Sequence, residues 1–267
     1  MKNRIEQKFE LLKIDKKAAF VAYVCAGDPT IDKSLEILLS IDEAGADIIE
    51  IGIPFSDPLA DGIVNQMAAS RALNAGMTVP HVIDLIKSFR KHSQTPLVLF
   101  TYLNPIYNYG YERFHEDASM AGADGILTLD LPPSEENINE ELCNAKGLLP
   151  IRLIAPTTPK ARIAQIAKSG LGFIYYVSRE GVTGKQTKLA EGIQEQILSI
   201  KKLTDLPIVV GFGISSPEQS KDVASMSDGV VVGSAIVDFI SKNQNQANLK
   251  ELVHDFVKPL ADASKIN

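Results

Sequence analysis

The sequence ADIIEIGIP occupies residues 46–54, and only Asp47 and Glu50 interrupt its apolar side chains. A strand that is apolar on both faces is typical of a parallel sheet covered by helices. Stretches with apolar residues at helical spacing separate this run from others like it. Eight strands alternating with helices predict an α/β fold, a (β/α)8 TIM barrel that forms a single domain over residues 1–267. The other seven runs lie at 18–26, 96–104, 124–131, 149–156, 172–178, 207–214 and 229–236.

Two predicted helices lie outside a simple strand–helix repeat. An extra N-terminal helix is expected before the first strand, and the long step after residue 54 has room for another within GIVNQMAASRALNAG (62–76). An open doubly wound sheet is the alternative architecture. The sequence disfavours it because the glycine-rich GFG (211–213) comes late instead of following the first strand.

The amino-acid composition narrows the classes of partner that this protein could bind. With 27 Lys and Arg against 33 Asp and Glu, the net charge of −6 argues against a general binder of nucleic acid or of anionic membranes. No run of about 20 apolar residues predicts a membrane span, and the charged start MKNRIEQKFELLK lacks the apolar core of a signal peptide. Two isolated cysteines, Cys25 and Cys143, indicate a reducing cytoplasm and no disulfide framework.

Glu50 lies in the middle of an otherwise apolar strand. Because side chains alternate along a strand, Glu50 shares a face with Ile48 and Gly52, and it points into the barrel mouth if Ile49 and Ile51 face the helices. Burying an unpaired carboxylate is costly. Glu50 is therefore either a structural glutamate satisfied by donors or a general acid–base whose pKa is set by an apolar site.

The loop PFSDPLADG (54–62) brings further carboxylates, Asp57 and Asp61, to the end of the same strand. Aspartates before proline or glycine are commonly turn residues. Catalytic groups of TIM barrels nevertheless lie at the C-terminal ends of strands and in the loops that follow them. The loop therefore offers a second carboxylate to the mouth above Glu50.

Glycine-rich loops follow the last three strands, as GVTG (181–184), GFGIS (211–215) and GSA (233–235). They are either packing glycines or a phosphate site, since glycine lets backbone N–H groups approach phosphate oxygens and a helix N-terminus favours an anion. Ser234 followed by AIVDFIS fits the start of such a helix. Their shared position after strands six, seven and eight favours phosphate.

The sequence gives little support for Schiff-base or metal chemistry. No lysine lies within a predicted strand, as a Schiff-base aldolase would need. The four histidines, His81, His92, His115 and His254, fall in helix-like stretches, so no metal site is predicted and each is expected to be solvated or capping. Several side chains at strand positions could line an apolar slot beside the phosphate: Tyr23, Phe100, Leu127, Leu153, Tyr175 and Phe212.

IEIGIPFSDPLADG (49–62) closely resembles the signature of the tryptophan synthase alpha subunit family. The resemblance spans nearly the whole chain and continues in order through shorter motifs. These are AGDP (26–29), Asp130 with LPP (131–133), APTTP (155–159), SREGVTG (178–184), GFGIS (211–215) and VVGSAIV (231–237). The resemblance implies a TIM barrel that cleaves indole-3-glycerol phosphate to indole and glyceraldehyde 3-phosphate.

Residue roles follow from the same motifs. The resemblance implies that Glu50 and Asp61 are the catalytic pair. It further implies that Tyr175 lines the substrate pocket, that Thr183 belongs to a loop closing over substrate, and that four residues bind phosphate: Gly184, Gly213, Gly233 and Ser234. It places pyridoxal phosphate on a partner beta subunit and none on this chain, in an assembly of two alpha and two beta chains.

The sequence departs from the family pattern beside the catalytic loop. Ile63 stands where proline is usual, Asn65 stands where an apolar residue is usual, and Tyr23 and Phe100 replace residues that are commonly Phe and Leu. Two alternatives stay open: a stand-alone indole-3-glycerol phosphate lyase, and a catalytically idle barrel that activates a beta subunit. Arg152 is a charged residue within a strand, and its parity opposite to Leu153 predicts that it faces the helices.

Overall fold

The computed structural model describes residues 2–131, 136–177, 186–211 and 213–265. Within these ranges there are nine strands: β1 (Ala19–Cys25), β2 (Ile48–Gly52), β3 (Leu97–Thr101), β4 (Gly125–Thr128), β5 (Leu149–Pro150), β6 (Arg152–Ile154), β7 (Ile174–Val177), β8 (Ile208–Gly211) and β9 (Gly229–Val232). The same ranges hold twelve helices: α1 (Arg4–Ile14), α2 (Ile31–Glu43), α3 (Ile63–Asn74), α4 (Val79–Arg90), α5 (Leu103–Tyr109), α6 (Tyr111–Ala121), α7 (Glu136–Lys146), α8 (Lys160–Ser169), α9 (Gln186–Lys201), α10 (Pro217–Ala224), α11 (Ser234–Asn243) and α12 (Leu249–Ala263).

The strands form one parallel sheet in the order β5-β4-β3-β2-β1-β9-β8-β7-β6. β5 and β6 stand at opposite ends of this order, yet only Ile151 separates them in the chain. The segment 149–154 therefore pairs with β4 on one side and with β7 on the other, which closes the barrel. The predicted (β/α)8 barrel is confirmed, and the open doubly wound sheet is excluded.

The predicted strand boundaries need correction, because several strands are shorter than predicted. The fifth strand, predicted as one run over 149–156, divides into β5 and β6, because Pro150 has no amide hydrogen to donate to a neighbouring strand. The eighth, predicted over 229–236, ends at Val232, because Ser234 already begins α11. The third, predicted over 96–104, likewise ends at Thr101, ahead of α5 at Leu103, and all these corrections leave the order of elements unchanged.

Alternation along the strands separates an inner layer from an outer one. On β2, Ile48 packs inside the barrel, whereas Ile49 and Ile51 belong to the layer between the sheet and the helices. The inner layer collects fully or nearly fully buried side chains from seven strands: Val21, Ile48, Val98, Leu127, Tyr175, Val209 and Val231. Glu50 lies two residues beyond Ile48, on the inner face.

The predicted extra N-terminal helix is confirmed as α1, and it covers the N-terminal end of the barrel. Asn3 caps it with a capping box and also donates from Nδ2 to the carbonyl oxygens of Asp124 and Gly147, just ahead of β4 and β5. Phe9 packs its ring 5.6 Å from that of Phe173 in the barrel interior. The opposite, C-terminal end is thereby left as the open mouth.

The long step between β2 and β3 holds two helices, α3 and α4, as its length suggested. No helix among the described residues is long and apolar enough to cross a membrane.

Candidate active site

Glu50 is a fully buried carboxyl group on the inner face of β2. It lies level with Tyr23 on β1 and Val98 on β3. Neither carboxyl oxygen has a hydrogen-bond partner among the residues that the structure describes. Burial therefore raises the pKa of Glu50 to about 8. Of the two possibilities left open by the sequence, this environment favours an acid–base group over a satisfied structural glutamate.

Asp61 is a half-buried carboxylate in the turn between β2 and α3, and both its oxygens are held. The Tyr102 hydroxyl donates to Oδ2 at 2.8 Å, and Asn65 Nδ2 donates to Oδ1 at 3.4 Å. Gln66 Nε2 donates to the Asp61 carbonyl oxygen at 2.8 Å and ties the turn to the first turn of α3. Burial raises the pKa of Asp61, while the bonds from Tyr102 and Asn65 oppose that rise.

Tyr102 was not singled out by the sequence, although it stands directly after β3 at the mouth. Its ring is 4% exposed, and its hydroxyl accepts from the Ala60 amide at 3.0 Å while it donates to Asp61. Burial and the neighbouring Asp61 carboxylate both raise the pKa of Tyr102, which keeps it a donor. The available signal was its place at the C-terminal end of a barrel strand, where functional groups concentrate.

A cavity of about 460 Å³ opens at the mouth, a size that suits a small organic ligand. Six predicted binding residues line it: Tyr23, Phe100, Tyr175, Gly213, Gly233 and Ser234. The rings of Tyr23 and Phe100 meet edge to face at 5.0 Å and form one wall. Burial raises the pKa of Tyr175, and the nearby Glu50 and Asp61 raise it further.

Other predicted residues lie elsewhere. Leu127 is fully buried in the barrel interior and does not line the cavity. Leu153 packs against the inner layer of the barrel and lines a separate cleft at β6. Thr183, Gly184 and Phe212 fall outside the described residues, as does the motif at 178–184.

Two glycines make room for the tyrosines of the cavity. A Cβ atom on Gly52 would lie 2.4 Å from the Tyr23 hydroxyl, and one on Gly211 would lie 3.0 Å from the Tyr175 hydroxyl. Gly211, the first glycine of GFG, is therefore a packing glycine, one of the two alternatives that the sequence left open. Gly213 is different, because its φ of +62° is left-handed and a Cβ there would meet nothing within 4 Å.

A helix N-terminus faces the same cavity. Gly233 and Ser234, which line it, are the N-cap and first residue of α11, and no side chain caps this helix. The first backbone N–H groups of α11 therefore donate no hydrogen bond to an N-cap side chain. Such groups, together with the helix dipole, form an anion site of the kind that phosphate occupies.

Two charged or titratable residues of the sequence analysis lie away from the mouth. Arg152 faces the helices as its parity predicted, and it pairs with Glu136 and Glu140 of α7. His115 contradicts the expectation of a solvated or capping histidine: it is fully buried, with Nδ1 2.7 Å from the Tyr111 carbonyl oxygen and Nε2 3.1 Å from Asn139 Oδ1.

Among the described residues, no three His, Cys, Asp or Glu side chains converge as metal ligands.

Comparison with known proteins shows the family of this chain. The family model described as "Tryptophan synthase alpha chain" matches residues 9–265. The tryptophan synthase alpha chain of Opitutus terrae is 49% identical over 90% of this chain and 91% of its own length. That of Desulfatibacillum aliphaticivorans is 46% identical over 98% of both chains.

Solved structures give the same result. Tryptophan synthase subunit alpha from Legionella pneumophila superposes with a TM-score of 0.91 at 35% identity, over 98% of both chains. A chain of Mycobacterium tuberculosis tryptophan synthase superposes with a TM-score of 0.90 at 30% identity, over 100% of both chains. This chain therefore belongs to the tryptophan synthase alpha chain family.

Proposed function

We propose that this chain is the alpha subunit of a tryptophan synthase and cleaves indole-3-glycerol phosphate to indole and glyceraldehyde 3-phosphate. The observation that carries the mechanism is a fully buried, unpartnered Glu50 level with Tyr23, which lines the cavity. Asp61 accepts a hydrogen bond from Asn65, which lines the same cavity. Two carboxyl groups in different environments are suited to different tasks, one as an acid and one as a base or charge.

Glu50 is the proton carrier in this proposal. Its pKa of about 8 keeps the carboxyl group mostly protonated at neutral pH, so it donates its proton to C3 of the indole ring. The resulting carboxylate then takes the proton from the side-chain hydroxyl of the substrate. The carbon–carbon bond breaks, its electron pair restores the aromatic indole, and the hydroxyl carbon becomes the aldehyde of glyceraldehyde 3-phosphate. Glu50 ends protonated, as it began.

Asp61 is the charge that stabilises the intermediate. Protonation at C3 leaves the ring nitrogen electron-poor, and an ionised carboxylate beside that N–H lowers the energy of the step. The donors Tyr102 and Asn65 favour the ionised form of Asp61 despite its burial. The flat slot between Tyr23, Phe100 and Tyr175 is suited to the indole ring.

The phosphate occupies the N-terminus of α11 in this proposal, with Gly233 and Ser234 supplying backbone N–H groups and Gly213 allowing a close approach. Thr183 and Gly184 belong to the proposed closing loop and phosphate site on the resemblance alone. Anchoring the distant phosphate positions C3 of the ring against Glu50, so that binding energy is used for orientation.

We infer that the partner beta subunit docks at the rim of the same mouth. An exposed apolar patch lies there, formed by Leu59, by Ile63 and Met67 one turn apart on α3, and by Tyr107 on α5. Exposed apolar clusters of this kind mark interaction sites. The proposed assembly has two alpha and two beta chains, with pyridoxal phosphate on the beta subunit and no cofactor of this chain's own.

Two further parts of the proposal concern the chain as a whole. Residues 1–267 act as a single barrel domain, since the barrel is built from strands along the whole chain. A cytoplasmic location accords with Cys25 and Cys143, both buried free thiols.

The test is indole release from indole-3-glycerol phosphate by the purified chain, alone and with a beta subunit. Slow release that rises strongly with the beta subunit is the expected result. Fast release by the isolated chain would indicate a stand-alone lyase, and no indole under either condition would indicate an idle barrel. Leu59→Asp should abolish the increase, whereas Leu203→Asp, at another exposed leucine just before β8 at the opposite end, should not.

A further inference from the structure

Asn65 is the third residue of α3 and lines the cavity beside Asp61. Its amide nitrogen lies 3.4 Å from Asp61 Oδ1. The reverse orientation of the amide would set its carbonyl oxygen against a carboxylate oxygen, and two acceptors repel each other. The NH2 group of Asn65 therefore faces Asp61.

This orientation leaves the other half of the side chain unsatisfied. Asn65 Oδ1 is buried and has no hydrogen-bond partner among the described residues. A buried acceptor without a donor destabilises the folded protein, and an apolar side chain of similar volume would avoid that loss. A side chain that serves stability poorly at the mouth of an active site points to a role in the chemistry.

The surroundings of Asp61 show what that role is. Tyr102 donates to Oδ2 and Asn65 to Oδ1, so each oxygen of the carboxylate receives one side-chain donor. We propose that Asn65 is a positioning residue for Asp61, which fixes the plane of the carboxylate and favours its ionised form. This inference rests on the proposed function of Asp61 as the charge beside the substrate ring nitrogen.

The other titratable groups that interact with Asp61 are weak acids that stay neutral when it ionises. They are Tyr23 and Cys25 of β1, Tyr102 after β3 and Tyr175 of β7, and burial raises the pKa of each. Glu50 lies beside the same tyrosines and is mostly protonated below pH 8. Since these four weak acids stay neutral, a change in the titration of Asp61 after replacement of Asn65 reports on Asp61 itself.

The experiment measures the pKa of Asp61 directly, by carbon-13 NMR titration of labelled aspartate carboxyls in the ligand-free chain, with Asp61→Asn to assign the signal. Asn65→Leu should raise the pKa of Asp61 by about half a unit or more, because a donor to the ionised form is lost. It should also raise the thermal midpoint, by about 2–4 °C, because the unsatisfied acceptor is gone.

The matched control is Gln66→Leu, which removes a neighbouring amide that contacts the Asp61 backbone carbonyl and not its carboxylate. It should leave the pKa of Asp61 unchanged. If Asn65→Leu does not fold, Asn65→Ser, which is too short to reach Asp61, repeats the measurement.

Equal pKa values of Asp61 in the wild type and in either Asn65 variant would overturn the positioning role. Because the titration uses no substrate, that failure is separate from failure of the proposed function, which absence of indole release would reveal. Where indole is released, the acid limb of kcat/KM should move up in pH with Asn65→Leu. The ionisation of the substrate phosphate is common to both enzymes and cancels in the comparison.

Discussion

The Tyr102 hydroxyl donates to Asp61 Oδ2 across 2.8 Å and accepts from the Ala60 amide at 3.0 Å. This single hydroxyl therefore connects the end of β3 to the loop that follows β2, and it helps to fix the position of the Asp61 carboxylate. Ordering this turn before substrate arrives reduces the entropy that binding must overcome.

Replacing Tyr102 with Phe should lower kcat/KM about tenfold and move its acid limb up by about one pH unit. A hydrogen bond to a charged acceptor contributes about 1.5–3 kcal/mol, and its loss raises the pKa of Asp61, so a higher pH is needed to ionise it. The pH profile of indole release measures both effects. Tyr109→Phe, which removes a hydroxyl that donates to Asp117 instead of Asp61, should alter neither.

The free energy of unfolding should fall as the pH rises from about 4.5 to about 8, because over this range Glu50 is protonated only in the folded state. Its folded pKa of about 8 lies above its usual value of 4.5, so the folded state holds a proton that the unfolded state releases between these values. Glu50→Gln should therefore increase the free energy of unfolding at pH 8, by about 1–3 kcal/mol, and increase it less at pH 5. Urea unfolding at both values measures this, and parallel pH dependences of wild type and variant would contradict a raised pKa.

Gly211→Ala should impair the cavity because its Cβ would lie 3.0 Å from the Tyr175 hydroxyl. We expect a loss of about 1–3 kcal/mol in stability and a raised KM for indole-3-glycerol phosphate, since the ring must move. Adding Tyr175→Phe removes the clashing oxygen and should restore part of the stability. Gly192→Ala, in α9 with open space around the new methyl, should instead stabilise the chain by about 0.5–1 kcal/mol. No rescue in the double variant would show that the close contact at Gly211 has another cause.

Ser234→Asp should raise the KM for indole-3-glycerol phosphate at least tenfold and change kcat less. A carboxylate at the first residue of α11 repels the substrate phosphate, although it favours the helix itself through the dipole. Ser241→Asp carries the same charge to the last turn of the same helix, about 10 Å away, and should leave KM near the wild-type value. Equal effects of the two changes would place the phosphate elsewhere.

The fold could be predicted because it depends on patterns that are local in the chain. The apolar character of 46–54 indicated a buried parallel strand, and alternation alone placed Glu50 inside and Arg152 outside. The division of the fifth strand was not predicted. The missing amide hydrogen of Pro150 matters only where a neighbouring strand would have accepted its hydrogen bond, and that neighbour is set by the fold.

Contacts between side chains of different loops could not be predicted. Tyr102 carries no signal that it meets Asp61, because the two residues are 41 positions apart in the chain and turn geometry brings them together. The burial of His115 depends on Asn139 of another helix for the same reason. A family motif in the sequence pointed to Glu50 and Asp61 as the proposed catalytic pair, while the contacts that hold the Asp61 carboxylate became visible only in the structure.

The central claim is that Glu50 carries the proton in the cleavage of indole-3-glycerol phosphate. The most direct measurement is the single-turnover rate of indole formation by Glu50→Gln in the presence of a beta subunit, with substrate affinity measured separately. The amide keeps the shape of the side chain and cannot exchange the proton, so we expect the rate to fall by about a thousandfold or more while the substrate still binds. Cleavage within about tenfold of the wild-type rate would contradict the claim and assign the proton transfers to another group.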